Sequence, residues 1–363
     1  MILPIETINL ILPLILLAAF FLIAGQAVAA EIEVDFPEAR EENLVQRVDF
    51  TDRAMATEYQ FILYVPIEKR DRIDAMSVAH EAMATVHDLE ARFSRFRPDS
   101  QVSRINASAS RAPVRVAPDV FRLFDKAGRM HSRTDGAFDI TVGPLLKLWG
   151  LYYRDGQIPS DDDRKEAMER VGFDRLLLDR SNFTVGFGVR SMHVDFGGIA
   201  KGYALDEAAK VFKRFGITSG LLSAGTSSMV ILGPPPSQKD WKIRIRNPYN
   251  ENESYTELSV SEGALSTSGA YERFIEIDGI RYGHIIDPST GMPVPEGMVS
   301  ATAIAPTGTE SDALSTAFFV LGPEGVEAYC AKYPENQAVL VLTEEDGSRQ
   351  VRKINMDSDK EQS

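Results

Sequence analysis

From residue 49 onward the chain switches repeatedly between two hydrophobic periods, and each switch marks a new element. Tyr59 to Val65 is an apolar run of strand length. From Arg72 to Phe93 the apolar positions Ile73, Met76, Met83, Val86, Leu89 and Phe93 recur at threes and fours or their sums, which predicts an amphipathic helix. FSRFRPDSQVSRINAS follows as a polar loop. A second helix carries Val120, Leu123, Phe124, Ala127 and Met130 on one face and stops before Asp135-Gly136. In GAFDITVGPLLKLWG an apolar segment is interrupted by Asp139 and broken by Gly143-Pro144. Ser160 and Asp163 stand at capping-box spacing before a short charged helix. MHVDFGGIAKGYALDEAAKVFKRFG reads as a strand ending at Phe196, a glycine pair, and a helix that stops before Gly216. GLLSAGTSSMVILG reads as two strands around a small-residue loop, and Trp241 to Arg246, Val299 to Ile304, Ala338 to Thr343 and Gln350 to Ile354 are further strands. Thr309, three residues before Asp312, predicts a helix start.

Polar chemistry is densest from Ser266 to Pro293. Phe274, Ile275 and Ile277, then Asp278-Gly279, then Tyr282 to Ile286 predict a hairpin running into the loop HIIDPSTGMP. That loop holds His284 and Asp287 and is stiffened by Pro288 and Pro293, so a general base fits there. An Asp-Pro turn beside a packed histidine fits the same residues. The glycine pair Gly197-Gly198 opens backbone N–H groups towards an anion, with Lys201 in the following first turn, although the spacing is not that of a Walker motif. A plain strand-to-helix turn is the other reading. Asp312 and Thr316 lie one helical turn apart, either as two hard oxygen ligands for Mg²⁺ or as part of a capping box and a solvated face. His80 and His87 lack a third ligand nearby and read as surface or packing residues.

Charge narrows the choice. A chain of 363 residues with a formal charge of −14 and no basic run is not a general nucleic-acid binder, so an anionic substrate needs local help from a metal or from helix N-termini. The lone cysteine, Cys330, excludes an internal disulfide and a thiolate metal cluster. Residues 1–30 carry an uncharged apolar run, Leu10 to Ala30, that ends in a small-x-small pattern. This predicts a signal peptide or an N-terminal membrane anchor, and hence a globular part exported to the periplasm or held at the outer face of the inner membrane. No cysteine follows the run, so the chain is not expected to be a lipoprotein. Residues 31–48 are expected as a linker, 49–355 as the domain and 356–363 as a disordered tail.

Seven blocks taken in order carry a family resemblance: MATEYQFILY, FSRFRPDSQVSRINAS, TDGAFDITVGPLLKLWG, VDFGGIAKGYALD, ALSTSGAYERF, HIIDPSTGMPV and Ala305 to Gly322. Together they span Met55 to Gly322, and the chain resembles the FAD:protein FMN transferases of the ApbE family. The resemblance implies an α+β fold, a single domain with mixed sheets flanked by helices, that binds FAD as substrate with Mg²⁺ and moves FMN onto a threonine of an acceptor, releasing AMP. The acceptor it implies is a membrane electron-transfer flavoprotein. It puts Met55, Phe96, Ala137, Phe138, Asp139, Asp195, Lys201 and Ile286 at FAD, Gly198, Asp312 and Thr316 at the metal, and His284 at the catalytic base. Asp287 either orients His284 or only forms the turn. The chain departs from the family pattern at Ala56, usually glycine, at Thr226-Ser227, usually Gly-Asp, and at Phe96, often tyrosine. Some relatives chiefly hydrolyse FAD to FMN and AMP, so a pyrophosphatase, or a flavin binder without chemistry, is the alternative.

Overall fold

The computed structural model describes residues 32–35, 45–69, 73–152, 156–271, 274–295 and 297–356. Strand β3 (Thr57–Pro66) lies second from one edge of the main sheet and is apolar without interruption from Phe61 to Val65. Phe61, Leu63 and Val65 face one core cluster while Ile62 and Tyr64 face another, so the period of two is present but both faces are buried. The strand belongs to an eight-stranded sheet in the order β16-β15-β14-β11-β8-β7-β3-β2. Its members are β2 (Val45–Ala54), β3, β7 (Gly220–Ala224), β8 (Ser228–Gly233), β11 (Gly263–Gly269), β14 (Met298–Ala305), β15 (Gln337–Thr343) and β16 (Arg349–Ile354). Every neighbouring pair in it is antiparallel.

Helices α1 (Ala75–Phe93), α6 (Ala200–Arg214) and α7 (Gly308–Lys332) pack against one face of that sheet. The other face is covered by β1 (Ile32–Asp35), β9 (Trp241–Asn247) and β10 (Asn250–Val260), a separate antiparallel sheet. Trp241, Ile243 and Ile245 from β9 are fully buried against Ile62, Leu221 and Ile231. Burying each such side chain contributes roughly 1.5–3 kcal/mol, so this second core is a substantial share of the fold. The remaining elements form a lobe: α2 (Gln101–Ser108), α3 (Pro118–Arg133), α4 (Gly143–Leu148), α5 (Asp161–Met168), the small sheet of β4 (Val114–Arg115), β5 (Leu176–Asp179) and β6 (Thr184–Phe187), and the hairpin β12 (Phe274–Ile277) with β13 (Ile280–Gly283). Among the described residues no helix is long and apolar enough to cross a membrane, and residues 1–31, with the expected signal or anchor, lie outside them.

Several expectations need correction. The 31–48 segment is not only a linker, because β1 pairs with β9 and β2 already begins at Val45. The tail from 357 onward lies outside the described residues. SQVSRINAS holds a helix, α2, whose start is capped by the Ser100 hydroxyl accepting from Ser103 N–H at 2.9 Å. Its buried Val102 and Ile105, three apart, were the available signal. Gly143-Pro144 opens α4 rather than breaking an element, with proline in the first turn, where its missing N–H costs nothing. Residues 192–196 form no ladder strand. There the Asn106 side chain replaces a neighbouring strand, donating to Val194 C=O at 3.0 Å and accepting from Val194 N–H at 2.8 Å. The cap of α7 is Thr307, accepting from Glu310 N–H, and Thr309 lies inside the helix. The second hairpin strand ends at Gly283, one residue before His284.

Candidate active site

Two helix starts meet beside the sheet, and each is capped by a carboxylate from the other. α6 has no side-chain cap of its own at Ile199. Asp312 of α7 supplies one, its Oδ2 accepting from Gly202 N–H at 2.9 Å. In return Asp206 of α6 accepts from the first α7 N–H groups, Gly308 at 2.7 Å and Thr309 at 2.9 Å, and from the Thr309 hydroxyl. A negative group at each positive helix end is favourable, and three orphan backbone donors are thereby satisfied. The helices can approach this closely only because both contact residues are glycines. A Cβ on Gly202 would lie 1.9 Å from Gly308 O, and one on Gly308 would lie 2.6 Å from Gly202 O.

That junction aims specific oxygens at one point. With Oδ2 engaged, Asp312 Oδ1 faces the Ser228 hydroxyl at 3.3 Å and Lys201 Nζ at 3.9 Å. Thr316 stands one turn on, and a Cβ added to Gly198 would come within 3.0 Å of its Oγ1, so the glycine leaves that space clear. Negative potential accumulates here: burial first, and then the charges of Asp312 and Glu90, push the Tyr59 hydroxyl far above its ordinary pKa.

The facing wall comes from the HIIDPSTGMP loop. Ile286 bridges to Pro293, Val294 N–H donates to Ile285 O at 2.9 Å, and the Trp149 indole donates to Gly291 O at 2.9 Å, which fixes the loop against α4. Arg164 also donates to Thr290 O. The Asp287 carboxylate serves this turn, accepting from Ser289 N–H at 2.8 Å, from the Ser289 hydroxyl at 2.7 Å and from the Thr290 hydroxyl at 3.2 Å. Its geometry is that of an Asx turn, as the turn-forming reading of Asp287 expects.

Between the two walls runs a cleft of about 320 Å³. It is lined by Met55, Phe96, Ala137, Phe138, Asp139, Asp195, Gly198, Lys201, His284, Ile286, Asp312 and Thr316, so every candidate except Asp287 meets there. Two of these have side chains already engaged. Asp139 accepts from Thr141 N–H and hydroxyl and from Phe173 N–H, and Asp195 accepts from Gly197 N–H at 2.7 Å. Phe96 is 62% exposed at the mouth.

Sequence reasoning missed Arg95, which also lines the cleft. Its guanidinium pairs with Asp195 at 2.9 Å and lies between the rings of Phe96 and Tyr152, 4.1 and 4.2 Å from their centroids. A lone arginine in a polar loop carries no pattern, so only its neighbours in space reveal it. Asp206 was invisible for the same reason, since its partners lie about a hundred positions away.

The family model described as "ApbE family" matches residues 55–341. The FAD:protein FMN transferase of Treponema pallidum is 31% identical over 288 residues, covering 76% of this chain and 79% of that protein. The protein of the same name from Escherichia coli K12 is 33% identical over 260 residues, 70% of this chain and 73% of its own. Among solved structures, the ApbE protein of Thermotoga maritima superposes with a TM-score of 0.76 at 32% identity, covering 85% of this chain and 97% of that one. The apo flavinyl transferase ApbE of Pseudomonas stutzeri gives 0.77 at 28% identity, over 87% and 96%.

Proposed function

The chain belongs to the ApbE family, and from that premise we propose that its cleft binds FAD and delivers the FMN half to a threonine hydroxyl of an acceptor protein. The observation that carries this reading is the meeting of His284 with Lys201, Asp312 and Thr316 across one cleft. Splitting a pyrophosphate with an alcohol requires both a proton acceptor and charge neutralisation, and the two walls offer one each. The threonine oxygen bonds to the FMN phosphorus, the bond from that phosphorus to the bridging oxygen breaks, and AMP leaves with the electron pair. His284 takes the threonine proton, as a neutral imidazole does near neutral pH. Lys201 and the N–H groups at the start of α6 face the phosphates.

A Mg²⁺ ion fits the donors at the helix junction. Asp312 Oδ1, the Thr316 hydroxyl and the Gly198 carbonyl are all hard oxygens, and Gly198 leaves the space beside Thr316 open. Bound there, the ion would supply positive charge to the phosphate oxygens. With one carboxylate among three protein donors, the set suits a cation that keeps phosphate and water ligands. The flavin ring is assigned to the apolar side near Met55, Phe138 and Ile286.

The acceptor is proposed to be a membrane-bound electron-transfer flavoprotein, and the globular part is placed outside the cytoplasm on the strength of the apolar run from Leu10 to Ala30. Protease accessibility of the chain in spheroplasts tests the location, and a chain protected until lysis would refute it. For the reaction, purified protein is incubated with FAD, Mg²⁺ and a threonine-bearing acceptor domain. Covalent flavin fluorescence on the acceptor in a denaturing gel, with one AMP per flavin moved, is the expected result. AMP released equally fast without acceptor identifies a pyrophosphatase, and FAD binding without AMP identifies a carrier.

A further inference from the structure

His131 does not line the cleft, yet it holds a wall that does. It stands in the last turn of α3, and the chain leaving that helix curls back around its ring. Gly136 N–H donates to His131 O at 2.9 Å, and with φ at +86° an added Cβ there would lie 3.6 Å from the imidazole Cε1. The next three residues, Ala137, Phe138 and Asp139, enter the cleft. His131 Nδ1 lies 3.1 Å from Phe138 O and 3.4 Å from Asp139 Oδ2. A carbonyl and a carboxylate both accept, so Nδ1 carries a proton and ties the two together.

The Asp139 side chain is only 2% exposed and takes its other donors from Thr141 N–H and hydroxyl, at Oδ1, and from Phe173 N–H, at Oδ2. Phe173 also fixes the plane of the imidazole, stacked at 5.4 Å with 27° between the rings. It fits there because Gly128, one turn earlier in α3, has no Cβ, which would meet the Phe173 ring at 2.7 Å. Without the Nδ1 donor a buried carboxylate oxygen and a carbonyl each lose a partner, and the segment relieves this by moving. Phe138 packs beside Gly198, so such movement is felt at the start of α6 as well.

We propose that His131 is a positioning residue for FAD, whose Nδ1–H sets where the Ala137 to Asp139 backbone and the Phe138 ring stand on the flavin side of the cleft. The proposal rests on the FAD reading of that cleft. The test titrates full-length protein with FAD and with FMN by calorimetry and measures turnover on the same preparations. His131→Asn keeps an N–H donor at the place of Nδ1, whereas His131→Gln and His131→Leu do not. The Gln and Leu variants should bind both flavins about tenfold more weakly, the loss expected for one hydrogen bond to a charged group, and the Asn variant should stay within about threefold of wild type. In turnover the loss should appear in the KM for FAD, with kcat within about threefold. Rescue by Asn but not by the larger Gln separates a donor from a packing role, and it stays readable if the Leu variant fails to fold. Equal affinity in all three variants would overturn the proposal. So would an Asn variant as weak as the Gln variant, which would leave only packing on Phe173, or a loss for FAD with none for FMN, which would put the adenosine half at this wall. Wild-type protein that binds neither flavin is a separate failure, that of the cleft reading, and removes the role of His131 with it.

Discussion

The two walls of the cleft are built in opposite ways. The helix junction is over-determined: Asp312 and Asp206 exchange caps across Gly202 and Gly308, and the surrounding hydroxyls of Ser266, Thr267 and Ser268 pair with Ser311, Thr302 and Ser315 in a buried ladder. The polar part of the His284 loop is held by its own turn and by single contacts from Trp149 and Arg164, at the end of a two-stranded hairpin, with Ile285 and Ile286 as its buried anchors. Groups that position charge are thus part of the folding core, whereas the proposed base stands on a separable element. Damage to the first wall should cost fold and chemistry together, and damage to the second should cost chemistry alone.

The largest expected effect is therefore Asp312→Ala. It removes a buried carboxylate that caps α6 and lines the proposed metal position, so transfer should fall at least about a thousandfold and stability by roughly 2–3 kcal/mol. Turnover and thermal melting measured on one preparation check both halves, and an intact melting temperature would show that the cap is dispensable. His284→Ala should lower transfer about 10²–10⁴-fold, the range for a lost general base, with a melting temperature within about 2 °C of wild type. Asp287→Ala belongs beside it. If that carboxylate only shapes the turn, transfer should fall by less than about fivefold and the pH profile should stay where it was.

Asp206→Ala isolates the structural half of the junction, because Asp206 does not line the cleft. Loss of two backbone caps and one hydroxyl partner should destabilise by about 2 kcal/mol, or roughly 5 °C for a domain of this size. The FAD dissociation constant should rise by less than about threefold. A melting temperature equal to wild type would break the claim that the two caps are reciprocal.

The same division governs how much the chain revealed by itself. Period and caps exposed α1, α3, α6 and the core strand β3, because those signals are local. His284, Lys201, Asp312 and Thr316 were legible as candidates from ordered family blocks, although spacing alone left each with a plain structural alternative. What stayed hidden depends on partners far along the chain. β11 carries the polar Ser266, Thr267 and Ser268 into a largely buried strand, where each hydroxyl is satisfied by one from β14 or α7. Asn106 standing in for a strand neighbour of Val194 left no trace in either segment.

The smallest effect tests whether strain has been placed at the cleft on purpose. Ala54 pairs with Thr57, and the two residues between them, Met55 and Ala56, have φ of 51° and 60°. This is the geometry of a tight hairpin turn that favours Asn-Gly, and an alanine there costs about 1 kcal/mol relative to glycine. Met55 is held in it by its N–H donating to Glu90 Oε1 at 2.7 Å, and its sulfur lies 3.2 Å from the Tyr59 hydroxyl. Both turn residues line the cleft. Ala56→Gly should therefore raise stability by up to about 1 kcal/mol, seen as a gain of roughly 2–4 °C in melting temperature. If transfer keeps its rate, the strain is incidental and the turn belongs with the rigid junction. If the variant is more stable but the KM for FAD rises, the strained turn presents Met55 to the flavin, and this edge of the cleft resembles the His284 loop in trading stability for position.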